Sequence, residues 1–165
     1  MGYLEKKLQA IISTLNNWKL NTGNLYVMTS NSAPSPFVAS GYSTGNPSET
    51  SYWNGFDNNE STDCQYYTGT GGYWQLLFGG TIIKIQKLEV RFKSALSGRV
   101  RIYGLLENDT WSQIDTWTVS ATTANYTRYP TQSEVKGIKV YWDGGSNFHA
   151  LNKCQVTEWY EKATS

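Results

Sequence analysis

The stretch Phe56-Asp57-Asn58-Asn59-Glu60-Ser61-Thr62-Asp63-Cys64 sets an aromatic beside a run of oxygen donors. Gly72-Tyr73-Trp74-Gln75-Leu76-Leu77-Phe78-Gly79 follows it as an apolar strand closed by a glycine turn. Together they read as a β-sandwich with a rigid polar loop at one end. Asp57, Asn59, Thr62 and Asp63 fall within seven residues, and hard cations such as calcium take roughly six to eight oxygens from carboxylates, carbonyls and hydroxyls. The loop is not a helix-loop-helix calcium site, because position six is Thr62, where that motif needs glycine, and position twelve is Thr68. Two readings stand side by side: a calcium loop, and an Asx-rich surface turn that binds nothing.

Outward from this stretch the chain alternates with period two. Leu88, Val90 and Phe92 alternate with Lys87, Glu89 and Arg91, the pattern of a strand with one wet face. Ser97-Gly98 turns into Val100 and Ile102, set between Arg99, Arg101 and Tyr103. Asn108-Asp109 turns into Trp111, Ile114, Trp117 and Val119, and Ile138, Val140 and Trp142 alternate with Lys139 and Tyr141. Leu25 to Thr29 reads as the first strand and Cys154 with Val156 as a short last one. Strands at spacings of about ten residues, with turn signals between them, specify an all-β sandwich. Trp74, Trp111 and Trp117 lie in strand patterns and are expected in the core. Gly41-Tyr42-Ser43-Thr44-Gly45 matches a nucleophile elbow in letters only, because Asn46-Pro47-Ser48 follows where a helix is needed.

The order Phe-Asp-x-Asn-x-x-Thr at 56–62, Trp-Gln-x-x-x-Gly at 74–79, and then an alternating strand with a Trp-centred hairpin resembles the discoidin-like family. That family includes the C domains of coagulation factors and the galactose-binding modules of glycosidases. The resemblance runs from about Leu25 to Tyr160 and implies an eight-stranded jelly roll. Such domains bind sugars or lipid headgroups through loops at one end, with a structural calcium. Here it implies Asp57 and Thr62 as side-chain ligands and Asn59 as a carbonyl donor. Two departures stand out: Cys64 where the family has tryptophan, and Asn152-Lys153-Cys154 where a glutamate opens the last strand. Lys153, near that glutamate slot, could set an internal ammonium in place of the ion.

Before the sandwich, Leu4, Leu8, Ile11, Leu15 and Trp18 follow the spacing of a coiled-coil seam, and Asn21-Thr22-Gly23 supplies a glycine stop. The expected organisation is an N-terminal amphipathic helix over 1–23 and a sandwich over 24–165. A helix this short is marginal alone in water, so its stripe packs either on its own sandwich or on copies of the chain. The second reading gives a homo-oligomer, most simply a trimer.

The 165 residues carry a net charge of +1, which builds no electrostatic case for nucleic acid or an anionic membrane. No stretch approaches the roughly 20 apolar residues of a membrane span, and Met1 to Lys7 does not open a secretory leader. Aromatics reach 15%, with 7 Trp and 12 Tyr against 16% charged residues, a balance that suits strands and polar contact surfaces. Cys64 and Cys154 are too few for a disulfide framework and stand either bridged or as buried thiols.

Sugars are held by an aromatic under the ring and polar groups on its hydroxyls. The loop Trp142-Asp143-Gly144-Gly145-Ser146-Asn147-Phe148-His149 crowds such groups together. The ligand residues expected there are Trp142, Asp143, Asn147, Phe148 and His149, although Phe148 would equally plug the end of the sandwich. No catalytic constellation rises above these features, so the expectation is a non-enzymatic protein. It is expected to be a virion component, a tail or head fibre or decoration protein assembled in the host cytoplasm, that touches cell-surface glycan and other virion proteins. The alternatives are a purely structural virion jelly roll and an extracellular glycosidase's carbohydrate-binding module.

Overall fold

The computed structural model of the chain describes residues 4, 17–42, 51–67, 72–94, 98–119, 125–131, 133–143 and 148–162, with the backbone alone at 65–67, 93–94 and 148–149. Its strands are β1 (Trp18–Thr22), β2 (Val38–Tyr42), β3 (Cys64–Tyr67), β4 (Gly72–Leu77), β5 (Ile83–Ser94), β6 (Gly98–Leu105), β7 (Trp111–Val119), β8 (Asn125–Arg128), β9 (Glu134–Val135), β10 (Gly137–Asp143) and β11 (Phe148–Lys162). They form two antiparallel sheets. One runs β1-β11-β5-β8, with β3 also on β11 and β9 on β5, and the other runs β2-β4-β10-β6-β7.

Side-chain alternation decides which residues meet between the sheets. Trp74 and Leu76 of β4, Val100 and Ile102 of β6, and Ile138, Val140 and Trp142 of β10 face inward from the second sheet and are buried. They meet Ile83, Ile85, Leu88, Val90 and Phe92 of β5 and Leu151, Cys154 and Val156 of β11. Along β5 the buried phase slips between Ile85 and Leu88, which are both buried. The ladder to β11 shifts register there, at Val156/Glu158 and Glu158/Trp159. A bulge of this kind lets a strand change phase and keep its apolar side chains in the core. The Asn108-Asp109 turn forms as read: Leu106 and Thr110 close it, Asn108 Oδ1 accepts from Thr110, and Asp109 sits at φ 62°.

Three expectations change. Trp18, read as the last residue of a helical stripe, opens β1 instead, because Trp18 to Thr22 pairs with Lys162 to Glu158 and the Trp18 ring lies under Lys84 Nζ at 4.1 Å. Gly23 then ends a strand and not a helix, its N–H donating to the Thr157 carbonyl. Leu4 is 79% exposed, while Leu8, Ile11 and Leu15 lie outside the described residues, so the stripe itself is not on view. Second, Leu25 to Thr29 is no regular strand. Tyr26 and Met28 are buried there, and the backbone bonds go to scattered partners, Leu25 N–H to Val156 O, Met28 N–H to Phe56 O and Thr29 N–H to Ala33 O, with Gln155 Nε2 donating to Tyr26 O at 2.6 Å and Tyr26 OH to Cys154 O at 2.8 Å. Third, the short last strand is a long one, β11, which carries β1, β3 and β5 at different points of its length. Cys64 and Cys154 are both buried and are not joined in a disulfide, and burial pushes the Cys154 thiol up to about 12.

Candidate functional site

The outer face of the second sheet holds a cleft of about 380 Å³ lined by Tyr73, Arg101, Tyr103, Trp111, Lys139 and Tyr141. The register explains why these six converge. Lys139 stands opposite Gln75 on β4 and Tyr103 on β6, and one pleat further Tyr141 stands opposite Tyr73 and Arg101. All of them take the outward phase that leaves Trp74, Ile138, Val140 and Ile102 inside. Tyr42 extends the row on β2, stacked on Tyr73 at 6.0 Å between centroids. The Tyr103 and Tyr141 rings meet edge to face at 6.3 Å.

Lys139 is the centre of this face. Its Nζ lies 4.4 Å from the Tyr73 centroid and 4.1 Å from the Trp111 centroid, so two rings bracket one ammonium. Among the described residues no carboxylate pairs with it. Burial lowers its pKa from the ordinary lysine value. Arg101 is engaged differently, with Tyr103 OH at 3.5 Å and with Asp143. A concave site of a few hundred Å³, mainly aromatic with a few fixed polar groups, is the general form of a small-ligand site.

The loop-end residues expected to bind ligand do not assemble that way. Trp142 is a core residue, 2% exposed, with its ring edge-on to Phe92 at 5.1 Å. Its place in β10 decides this, since it follows Ile138 and Val140 in the inward phase. Asp143 sits at the rim held by Arg99 and Arg101, with Arg99 Nε at 3.0 Å, and the Arg99 hydrogen bond leads the causes that lower its carboxyl pKa. Asn147 lies outside the described residues. Phe148 and His149 open β11, their backbones opposite Tyr67 and Tyr66, and their side chains lie outside the described ones. Trp111, expected in the core, is half-buried at the cleft. The signal for the cleft was present in the sequence, because Tyr73, Tyr103 and Tyr141 occupy wet-face positions where plain polar residues would serve.

In the polar loop, Thr62 Oγ1 lies 2.6 Å from Asp57 Oδ2 and 2.8 Å from the Asn59 carbonyl, and Asn59 N–H donates to Asp57 Oδ1. Asn58 takes φ 56° in the same turn. Asp57, Asn59 and Thr62 therefore meet through hydrogen bonds within one turn, the geometry of an Asx turn. Asn152 reaches this loop from β11: Nδ2 donates to Thr62 O at 2.7 Å and Glu60 O at 3.4 Å, while its buried Oδ1 has no hydrogen-bond partner. Turning that amide over would aim Oδ1 at the loop carbonyls, an arrangement that repels unless a cation lies between. The donors that would then face the loop are oxygens, the type calcium takes, with Asp57 as their carboxylate; among the described residues no group of three or more His, Cys, Asp or Glu gathers to hold a metal ion. The Lys153 ammonium, expected in place of the ion, is engaged elsewhere: its Nζ meets Glu89 on β5 at 2.9 Å, a hydrogen bond that lowers the Glu89 pKa.

No protein-family profile matches the chain and no curated protein matches it by sequence. Solved structures match its fold. CpGH89CBM32-5 from Clostridium perfringens, in complex with GalNAc-β-1,3-galactose, superposes with a TM-score of 0.62 at 14% identity, over 73% of this chain and 94% of that one. The family 32 module of NanJ from C. perfringens, in complex with galactose, gives 0.61 at 13%, over 76% and 93%. Chitosan-binding module 1 from a chitosanase/glucanase of Paenibacillus sp. IK-5 gives 0.60 at 16%, over 81% and 97%. The chain has the discoidin-like sandwich fold of these modules.

Proposed function

We propose that this domain is a non-catalytic carbohydrate-binding module whose sugar site is the cleft around Lys139. The observation that carries the reading is the Tyr73, Tyr103, Trp111 and Tyr141 cluster with two cations on the open face of a fold shared with carbohydrate-binding modules. Aromatic plates suit the apolar faces of sugar rings, and Lys139 and Arg101 suit their oxygens. Asp143, the carboxylate at the rim, is held by Arg99 and Arg101 and fixes Arg101 beside the cleft. The sequence favours a virion fibre or decoration protein as the carrier, with copies joined through residues before 17 so that weak sites act together.

A glycan array with the full chain tests this. Trp111→Ala should lower binding at least about tenfold with the melting temperature nearly unchanged, since the substitution removes one stacking ring from the cleft and nothing from the core. Deleting residues 1–16 should reduce the mass seen by light scattering and weaken array binding while single-site affinity stays the same. If Phe148→Ala abolishes binding and Trp111→Ala does not, the site is at the loop end. A blank array for the intact chain would leave the purely structural reading in its place.

Calcium in the Asp57 loop belongs to the same reading, where it would stiffen the turn beside β11. Stabilisation by a native-state ligand is RT ln(1 + [L]/Kd), about 2.7 kcal/mol at a hundredfold excess. Calcium should therefore raise the melting temperature by several degrees over chelator, and Asp57→Ala should erase the increment. Identical melting curves in calcium and chelator would show that the Asn152 amide closes the loop unaided.

A further inference from the structure

The ring faces best placed to receive a sugar are already occupied. Lys139 Nζ sits over both Tyr73 and Trp111, so a pyranose stacking on either ring must first turn the ammonium away. A neutral sugar gives that ammonium only hydrogen bonds to uncharged oxygens in exchange for two cation–π contacts. A sugar carrying a carboxylate gives it an ion pair, which is stronger than a ring contact in the same partly desolvated place. Among the described residues the face supplies no substitute anion: Asp143 is shared by Arg99 and Arg101, and Lys139 has no acidic partner. Two arginines against one aspartate, with Lys139 beside them, leave the cleft and its rim positively charged although the chain is almost neutral.

We infer that the cleft selects an acidic saccharide, a uronate-bearing chain, whose carboxylate draws Lys139 out from between Tyr73 and Trp111 and whose ring takes the faces that the ammonium vacates. This rests on the carbohydrate-binding reading above. The ammonium acts as a placeholder that excludes neutral rings and exchanges its ring contacts for the ligand's charge. The lowered pKa of Lys139, caused by burial, fits a cation held without its counter-charge. Arg101 keeps its place through Asp143 and Tyr103 and lines the same cleft as a second positive group for a longer acidic chain.

Calorimetric titration of the full chain with oligogalacturonate and with its fully methyl-esterified counterpart isolates the charge, because the ring and its hydroxyls are common to both. The acid should bind at least about tenfold tighter than the ester at low salt, and the difference should shrink as salt rises. Lys139→Gln should remove the preference, lowering affinity for the acid and raising or preserving that for the ester, with the fold checked by melting. Equal affinity of acid and ester in the unmodified protein would overturn acid selection and leave carbohydrate binding intact. A preference that survives Lys139→Gln would overturn the role given to Lys139. If the unmodified protein binds neither oligomer and no glycan on the array, the carbohydrate reading itself falls.

Discussion

Trp142→Ala should lower stability by about 3–5 kcal/mol, the usual consequence of emptying a fully buried indole site. The side chain is 2% exposed, meets Phe92 edge to face at 5.1 Å, and lies so close to β6 that a Cβ built on Gly98 would stand 2.6 Å from its ring. Strand backbones on both sides hold their positions through the β10 ladders to β4 and β6, so little can collapse into the space. Domains of this size hold roughly 5–15 kcal/mol in all, and the loss corresponds to a melting temperature lower by about 10 °C or more. Urea denaturation with and without sugar separates the roles. A variant that melts within a degree or two of the parent but loses glycan binding would return Trp142 to the ligand site and remove it from the core.

The second large effect belongs to Gly79→Ala, expected to destabilise by about 2–5 kcal/mol, the sum of dihedral strain and overpacking. Gly79 adopts φ +61°, a left-handed conformation that costs an L-residue about 1–2 kcal/mol. An added Cβ would also collide with both the Cβ and the backbone carbonyl oxygen of Pro36. Backbone cannot swing aside as a flexible side chain can, so overpacking of about 1–3 kcal/mol adds to the dihedral strain. Gly80 is the internal control. Its φ is +93° but nothing lies within 4 Å of the Cβ position, so Gly80→Ala should show the dihedral part alone. Equal losses at the two positions, measured by chemical denaturation, would refute the close approach to Pro36.

The glycine turn at 79 and the alternating runs of β5, β6 and β10 were legible because a half-buried strand imposes a period of two on its own residues. That periodicity identifies two faces without saying which outward residues will stand beside one another. Tyr73, Lys139 and Tyr103 lie far apart in sequence and become neighbours only through the β4-β10-β6 order. The same limit explains the opposite fates of Trp74 and Trp111. Both sit in strand patterns, yet Trp74 takes the inward phase of a central strand and Trp111 begins the edge strand β7. Trp18 misled for a different reason. Its spacing from Leu15 fits a helical seam, but pairing with β11 ties residues separated by most of the chain, a long-range choice that local spacing does not encode. The Asp57, Asn59 and Thr62 cluster was legible because all of its partners but Asn152 lie within one turn of chain.

The pairing of β1 with β11 also fixes how the domain carries load. Trp18 lies opposite Lys162, so the chain enters and leaves the described sandwich at one corner, on the sheet that does not bear the cleft. A tether pulling on residues 18 and 162 would peel the ladder apart one rung at a time, beginning at Trp18 and Lys162, and would not load all its hydrogen bonds in parallel. Unzipping of that kind yields at far lower force than shearing. A domain mounted by both ends would release its first strand gently under tension, whereas one mounted by a single end would pass the pull of its ligand through the packed core and leave the β1 ladder unstrained.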